Sequence, residues 1–229
     1  MNNNNSILLK NPAFDPTTAS ACNLLIKIGV DSFSYAVVNN STQQVMALYD
    51  EQECDISSLN FDALFEKNEL LNLAYQQVQI ATYSDSEISI PNEFFDENSI
   101  ELHSKLIKNN TVVSQFQQKH FGFTTIFGLQ KNIETAINNQ FSKLKLYPHY
   151  AGLLAFAENI KETSLFLDFS ANSFTALFIK DEKVIFQKCY ETANTEEFNY
   201  FILLLINQLT IAPSEIAVHL SGIIHLDDH

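Results

Sequence analysis

Arginine is absent from this chain of 229 residues, so all 13 of its Lys and Arg side chains are lysines. The guanidinium group of arginine binds phosphate or carboxylate through two parallel hydrogen bonds, which the ammonium group of lysine cannot form. Any anionic ligand must therefore be bound by lysine side chains or by backbone N–H groups.

Glycine is also scarce, since the chain has only 5 glycines where an average composition of about 7% would give roughly three times as many. Loops that bind phosphate use glycine because their backbone approaches the ligand closely and often adopts positive φ. Neither G-x-G-x-x-G nor G-x-x-x-x-G-K-S/T occurs in the sequence. The two common glycine-rich nucleotide motifs are therefore excluded.

The three cysteines, Cys22, Cys54 and Cys189, are odd in number and form no C-x-x-C pair. This pattern is typical of reduced thiols, not of a disulfide framework or a zinc site. The first six residues, MNNNNS, lack the features of a signal peptide, and no apolar run approaches the roughly 20 residues of a membrane span. We therefore expect a cytoplasmic protein without direct membrane insertion.

The charge balance is strongly acidic, with 27 Asp and Glu side chains and a net charge of −14. Such a chain repels nucleic acid and anionic surfaces. A nuclease of the ribonuclease-H type would need several carboxylates around two metal ions, whereas only Asp168 lies at a suitable strand end. We expect no nucleic-acid partner.

The C-terminus carries a group of residue types that bind metals: His219, His225, Asp227, Asp228 and His229. The end of a chain rarely holds ligands in a fixed arrangement. We therefore predict no metal site.

Two segments of the chain repeat the same pattern 141 residues apart. Residues 24–38 read LLIKIGVDSFSYAVV, and residues 165–179 read LFLDFSANSFTALFI. Each segment contains an apolar strand, a short polar turn and a second apolar strand that begins with Ser-Phe. Only three of the fifteen positions are identical, so the evidence for a repeat is the shared pattern of strands and turns. It predicts a chain built from two related halves.

The order of predicted elements is a three-stranded meander, helix and strand, an intervening α/β segment, and then a second meander, helix and strand. The predicted strands are 24–29, 33–39, 43–49, 78–84, 112–117, 123–127, 144–147, 164–169, 173–180, 183–190 and 215–221, and the predicted helices are 59–73, 96–107, 130–141, 149–160 and 195–209. Strands joined by crossover helices predict an α/β architecture with mixed sheets.

Three regions follow from this order. We predict a loose N-terminal arm over 1–20 and a first subdomain over 21–160, which contains an inserted or extended α/β segment at about 108–147. The second subdomain is predicted over 161–229.

Four stretches carry a resemblance to a known fold: KIGVDSFSYAV, IPNEFF at 90–95, KLYPHYAGLLA at 145–155, and LDFSANSFTALFI. They resemble the actin-like ATPase fold of the ribonuclease-H-like superfamily, which includes actin, heat-shock chaperones and sugar kinases. More specifically, the chain is similar to an uncharacterised bacterial family of domains of unknown function related to PilM and FtsA. The resemblance implies two related βββαβ units. It also implies further elements after residue 221, so we expect the second unit to be incomplete.

The resemblance assigns the residues that would bind a nucleotide. The first phosphate turn of the family, Asp-x-Gly, matches Lys27 to Gly29, so lysine replaces the carboxylate. The second matches Asp168 to Ser170, so serine replaces glycine. The adenosine motif, a glycine-rich turn after a strand, matches Leu220 to Gly222, where Gly222 is the one glycine that remains. Magnesium-assisted phosphoryl transfer needs carboxylates near the β- and γ-phosphates. Because one of the two carboxylates is replaced by Lys27, we do not expect this chain to hydrolyse ATP.

Lys27 has two interpretations that the sequence leaves open. Its ammonium group either contacts an anion directly or lies at the strand end and pairs with an acidic side chain.

The predicted function is that of a catalytically inactive pseudo-ATPase that acts as a protein-interaction or scaffold module with an unidentified protein partner. No catalytic residue and no cofactor are predicted. The alternative is an ATP-binding protein with weak or switch-like use of ATP and Mg. A homodimer is compatible with either function.

Overall fold

The chain divides into two compact units, Met1–His149 and Tyr150–His229. The structure is a computed structural model, and it describes residues 5–56, 59–96, 100–108 and 111–224. Its strands are β1 Ser6–Lys10, β2 Cys22–Ile28, β3 Ser32–Asn39, β4 Val45–Gln52, β5 Gln77–Thr82, β6 Glu87–Pro91, β7 Thr111–Gln118, β8 Phe123–Gln130, β9 Leu144–Pro148, β10 Ser164–Phe169, β11 Ser173–Lys180, β12 Lys183–Glu191 and β13 Ala217–Gly222. Its α-helices are α1 Phe61–Lys67, α2 Ile100–Ser104, α3 Lys131–Gln140, α4 Ala151–Ala157 and α5 Thr195–Gln208.

The first unit is built on a six-stranded sheet with the order β1-β4-β3-β2-β5-β9. The strands β2, β3 and β4 form an antiparallel meander, whereas β5 lies parallel to β2 and β9 lies parallel to β5. Parallel neighbours require a crossover connection, and the chain between β2 and β5 supplies it with α1. The sheet is therefore mixed, as the sequence predicts.

The second unit repeats this topology in a four-stranded sheet with the order β12-β11-β10-β13. Here β10, β11 and β12 form the antiparallel meander, and β13 lies parallel to β10. The two meanders even share an irregularity, because the pairing register shifts at Val37/Val38 and at Phe178/Ile179, again 141 residues apart. The predicted repeat and the predicted α/β class are confirmed.

One face of the first sheet packs against helices. The helix α1 begins after Asn60, whose side chain accepts a hydrogen bond from the Ala63 N–H at 3.1 Å. On α3, the side chains of Ile133 and Ile137 face the core and are 3% and 0% exposed. The spacing of these two residues correctly predicts α3 from the sequence.

In the second unit, α5 covers the sheet. Its first turn is closed from both sides, because the Asn194 side chain accepts from the Glu197 N–H at 2.9 Å while the Glu197 carboxylate accepts from the Ala193 N–H at 2.8 Å. This reciprocal cap fixes where the helix begins. The apolar face of α5 then packs on a cluster that includes Leu165, Leu167 and Phe174 of the sheet. Within the described ranges, no helix is both long enough and apolar enough to cross a membrane.

A separate three-stranded sheet with the order β6-β8-β7 lies within the first unit. Its own small core contains Ile90, Ile107 and Ile126. The sequence predicts the added segment at about 108–147, but the sheet already begins at β6. In addition, β9 belongs to the six-stranded sheet and not to the added segment.

Other predicted boundaries also need correction. The segment 1–20 is not only a loose arm, because β1 pairs antiparallel with β4. The predicted helix 59–73 is two pieces, α1 and a 3₁₀ helix over Glu69–Asn72, since the Asn68 side chain bonds back to the Leu64 carbonyl at 2.8 Å and interrupts the helix. Along the chain, the first unit ends at His149 and the second begins at Tyr150, whereas the sequence predicts this boundary at residue 160. The helix α4 therefore belongs to the second unit.

An acidic side chain is partly buried in the three-stranded sheet, with one of its carboxylate oxygens fully covered. Glu87 on β6 lies opposite Phe127, which is fully buried. Among the described residues, no hydrogen-bond partner reaches its buried Oε2 atom. Burial therefore raises the pKa of the Glu87 carboxyl from 4.5 to about 7.

We predict that Glu87 makes the protein less stable as pH rises from about 4.5 to about 7. In this range the folded state keeps a proton that the unfolded state has lost, so the free energy of unfolding falls with pH and levels off above the folded pKa. Replacement of Glu87 by Gln should remove this contribution and stabilise the protein by roughly 1 to 3 kcal/mol above that pKa. Urea unfolding across the pH range measures the difference between the two proteins.

The control is Glu93→Gln, because Glu93 is an exposed acid in the same segment. If the Glu87 and Glu93 variants show the same pH dependence as the wild type, the carboxyl of Glu87 is not buried as described.

Candidate functional site

The two phosphate turns predicted from the sequence share the same backbone hydrogen bond. In the first turn, between β2 and β3, the Gly29 N–H donates to the Ser32 carbonyl at 2.8 Å. In the second turn, between β10 and β11, the Ser170 N–H donates to the Ser173 carbonyl at 2.8 Å. The Ser-Phe pair seen in the sequence therefore marks the start of the second strand in both halves.

The change from glycine to serine between the two turns has a local explanation. A Cβ atom built on Gly29 would lie 2.4 Å from the Oγ atom of Ser32, so the contact is with a side chain, which would have to shift, and not with the backbone. Positive φ values occur at Gly122 and Gly222 among the described glycines, but not at Gly29. The turn therefore does not depend on glycine, and Ser170 forms the same turn hydrogen bond in the second unit.

Lys27 and Asp168 occupy equivalent positions in the two sheets. Lys27 lies opposite Ser34 on β3, and Asp168 lies opposite Thr175 on β11, each at the next-to-last residue of its strand. The same sheet position therefore carries a cation in the first unit and a carboxylate in the second. On the face of the sheet that carries Lys27, Asp50 lies one strand beyond Ser34.

The carboxylate of Asp168 is positioned by β13. Its Oδ1 atom accepts a hydrogen bond from the Ser221 hydroxyl at 2.8 Å, and the two residues lie side by side in the parallel pair β10–β13. The equivalent neighbour of Lys27 is Ala81, which has no hydroxyl group. Ser221 was not predicted as a functional residue, although it stands directly beside Gly222 in the motif taken from the sequence.

Gly222 packs backbone against backbone. Its φ is +88°, and a Cβ atom added there would lie 2.0 Å from the Phe169 carbonyl oxygen. The next residue, Ile223, donates its N–H to the same oxygen at 3.1 Å. The glycine thus lets the end of β13 stay close to the end of β10.

The five predicted site residues fall into two sets, one in each unit. Lys27 and Gly29 lie at the β2–β3 connection of the first unit. Asp168, Ser170 and Gly222 lie together at the ends of β10 and β13 in the second unit. Their role in nucleotide binding stays a prediction.

Other features of the surface lie away from these turns. A cavity of about 560 Å³ in the first unit is lined by polar side chains that include Asn23, Gln77, Lys143 and Lys145. It lies where β2, β5 and β9 begin, whereas Gly29 follows the end of β2. Within the described part of the chain, no group of three or more His, Cys, Asp or Glu side chains is placed to hold a metal ion. Residues 225–229 of the C-terminal group lie outside the described residues.

A family model with the description "Protein of unknown function (DUF3822)" matches residues 11–229. No curated protein matches the sequence.

Three solved structures are similar in fold. A Bacteroides thetaiotaomicron protein with an actin-like ATPase fold and unknown function is 21% identical, with a TM-score of 0.78 over 93% of this chain and 86% of that chain. The cytoplasmic domain of EpsL, an inner-membrane component of the type II secretion system of Vibrio cholerae, is 10% identical, with a TM-score of 0.52 over 91% and 85%. A chain of the PilM–PilN type IV pilus biogenesis complex is 14% identical, with a TM-score of 0.51 over 83% and 66%. The actin-like ATPase fold expected from the sequence is confirmed.

We predict that Gly222→Ala destabilises the protein by at least about 2 kcal/mol, because alanine strains a positive φ and its Cβ atom overlaps the Phe169 carbonyl. Gly152 provides the matched control, since a Cβ atom there meets nothing within 4 Å and the residue lies in α4. Gly152→Ala should be neutral or stabilise by up to about 1 kcal/mol. Denaturant unfolding of both variants measures the difference, and equal stability would rule out the close approach of β13 to β10.

Proposed function

Because the chain belongs to the DUF3822 family, whose function its description leaves open, we propose a function from the site itself. We infer a catalytically inactive, cytoplasmic pseudo-ATPase of actin-like fold that works by binding another protein. It uses the fold as a scaffold and does not hydrolyse a nucleotide.

The main support for this proposal is the cation Lys27, which lies at the sheet position that Asp168 occupies in the second unit. Phosphoryl transfer in this fold requires magnesium, and magnesium requires oxygen ligands. Lys27 places an ammonium group where a carboxylate would hold the metal, so only Asp168 remains. The absence of arginine removes the side chain that most often stabilises charge on a transferring phosphoryl group.

Two relatives support a partner protein. One similar structure is a complex of PilM with PilN, and another is the cytoplasmic domain of a secretion-system component, EpsL. Both belong to assemblies, so the fold is compatible with a role in protein binding. The three cysteines of this chain form no disulfide, which supports the cytoplasmic location.

The second unit favours one alternative, an ATP-binding protein with weak or switch-like nucleotide use. Asp168 keeps its carboxylate at the end of β10 and is oriented by Ser221. A retained and oriented carboxylate can hold Mg²⁺ even where hydrolysis is lost. This alternative predicts a nucleotide effect that depends on Asp168.

The test is thermal unfolding with and without millimolar MgATP or MgADP. The proposal predicts no shift in Tm beyond that produced by Mg²⁺ alone. A ligand present at 100 times its dissociation constant would stabilise the folded state by about 2.7 kcal/mol, which corresponds to several degrees for a chain of this length. The experiment therefore detects any binding tighter than about ten micromolar at millimolar nucleotide.

Two variants make the result specific. Asp168→Asn removes the carboxylate charge, and Asp181→Asn removes an equal charge from the exposed β11–β12 turn of the same unit. A nucleotide-dependent shift that is lost in the first variant and kept in the second would overturn the proposal and establish the alternative.

A further inference from the structure

The strand β1 leaves one edge of the six-stranded sheet open. It lies at the end of the strand order and pairs with β4 along its inner side. All five of its residues are exposed, and the side chains of Ile7, Leu8 and Leu9 are 51%, 54% and 53% exposed. Within the described residues, no strand pairs with its outer side. An apolar edge strand is a template for pairing with another strand.

The backbone groups available on this edge follow from the hydrogen bonds on the inner side. The Asn11 N–H donates to Met46 at 2.9 Å, and the Asn5 carbonyl accepts from Gln52 at 3.0 Å. In an antiparallel pair, alternate residues direct their polar groups to opposite sides. The odd-numbered residues of β1 therefore bond to β4, and the even-numbered Ser6, Leu8 and Lys10 direct their N–H and C=O groups outward.

The two ends of β1 carry opposite charge. Ser6, at the N-terminal end of β1, lies opposite Glu51 of β4. Glu53 also lies at this end, because its carboxylate accepts a hydrogen bond from the Asn5 amide. Lys10 lies at the other end, with its ammonium group 5.7 Å from the centre of the Phe14 ring. The strand is therefore acidic at one end, apolar in the middle and basic at the other end.

We propose that β1 pairs with β1 of a second copy of this chain, antiparallel and centred on Leu8. In this register Leu8 faces the partner's Leu8, Ser6 faces the partner's Lys10, and Ile7 faces the partner's Leu9. Every outward-facing residue meets another outward-facing residue, so about six backbone hydrogen bonds form across the two-fold axis. The two six-stranded sheets become one continuous sheet.

The charges select this arrangement over the parallel one. Antiparallel pairing brings each Lys10 across from Ser6 of the partner, a small residue whose neighbour on the same face is Glu51. Parallel pairing would place the two Lys10 side chains together and the two acidic ends together. With a net charge of −14 on each copy, general repulsion opposes association, and local complementarity has to offset it. A strand-to-strand contact of this size gives a reversible, concentration-dependent dimer.

The first test is light scattering coupled to size-exclusion chromatography over a series of concentrations. The wild type should pass from monomer to dimer as its concentration rises. Leu8→Lys places two cations opposite each other on the symmetry axis and should raise the dissociation constant at least about tenfold. The control is Leu203→Lys, which introduces the same charge at a leucine that is 60% exposed on α5 of the second unit. A wild type that stays monomeric, or equal effects of both variants, would overturn the proposal.

A charge exchange tests the register itself. Lys10→Glu should weaken the dimer, because the new carboxylate meets the acidic end of the partner. Adding Glu51→Lys to the same chain should restore the dimer, because the carboxylate introduced at position 10 would then lie near the ammonium group introduced at position 51 of the partner. Circular dichroism checks that both variants are folded. If the folded double variant does not recover most of the dimer affinity lost in Lys10→Glu, antiparallel pairing centred on Leu8 is excluded. Neither variant touches Asp168, so the result is independent of the nucleotide experiment.

Discussion

One backbone hydrogen bond in each half of the molecule sets the pairing of the first two strands of its meander. The N–H of residue 29 or 170 donates to the carbonyl three residues later, and this turn fixes which residues of the first two strands face each other. Since side chains alternate across a strand, the same register decides that Phe33 and Phe174 point into their cores, where they are 0% and 1% exposed. A shift by one residue would expose both rings. The repeat is therefore preserved in geometry even though only three of fifteen positions are identical.

The turns themselves and the residues beside them differ in chemistry. The structure keeps the turn hydrogen bond in both units but places Lys27 in one sheet where Asp168 stands in the other. A strand-end side chain points to the surface and contributes little to the core, so its charge can change without loss of the fold. The Asp168–Ser221 pair shows that the second unit still orients its carboxylate, and the first unit has no hydroxyl at the matching position. The chemical difference between the halves is thus found in the turns and at the neighbouring strand ends, while the strand pairing is the same.

The sequence predicted those features that rest on local patterns. The alternation of β3, the spacing of Ile133 and Ile137, and the repeated Ser-Phe pair each report which side of an element is buried. The sequence failed where pairing partners are distant. Residues 6–10 read as part of an arm because their partner, β4, begins 35 residues after β1 ends, at Val45. The burial of Glu87 was missed for the same reason, since Phe127 lies opposite it from another strand. At the candidate site, the sequence proposed Asp168 but did not predict its hydrogen bond to Ser221, because that contact spans 53 positions.

The edges of the two sheets present different surfaces. In the second unit, β13 carries Val218 and Leu220, more than half exposed, on the side of the sheet that faces α5. These side chains alternate with Ser221 and His219, and the ring of His219 stacks on Phe166 at 4.7 Å. In β1, three consecutive residues are apolar, so both faces of the strand are apolar along the same edge. A partner that adds to β1 by backbone pairing gains apolar contacts on both faces at once, whereas β13 offers them on one face only. This difference is why β1, and not β13, has the properties of a self-pairing edge.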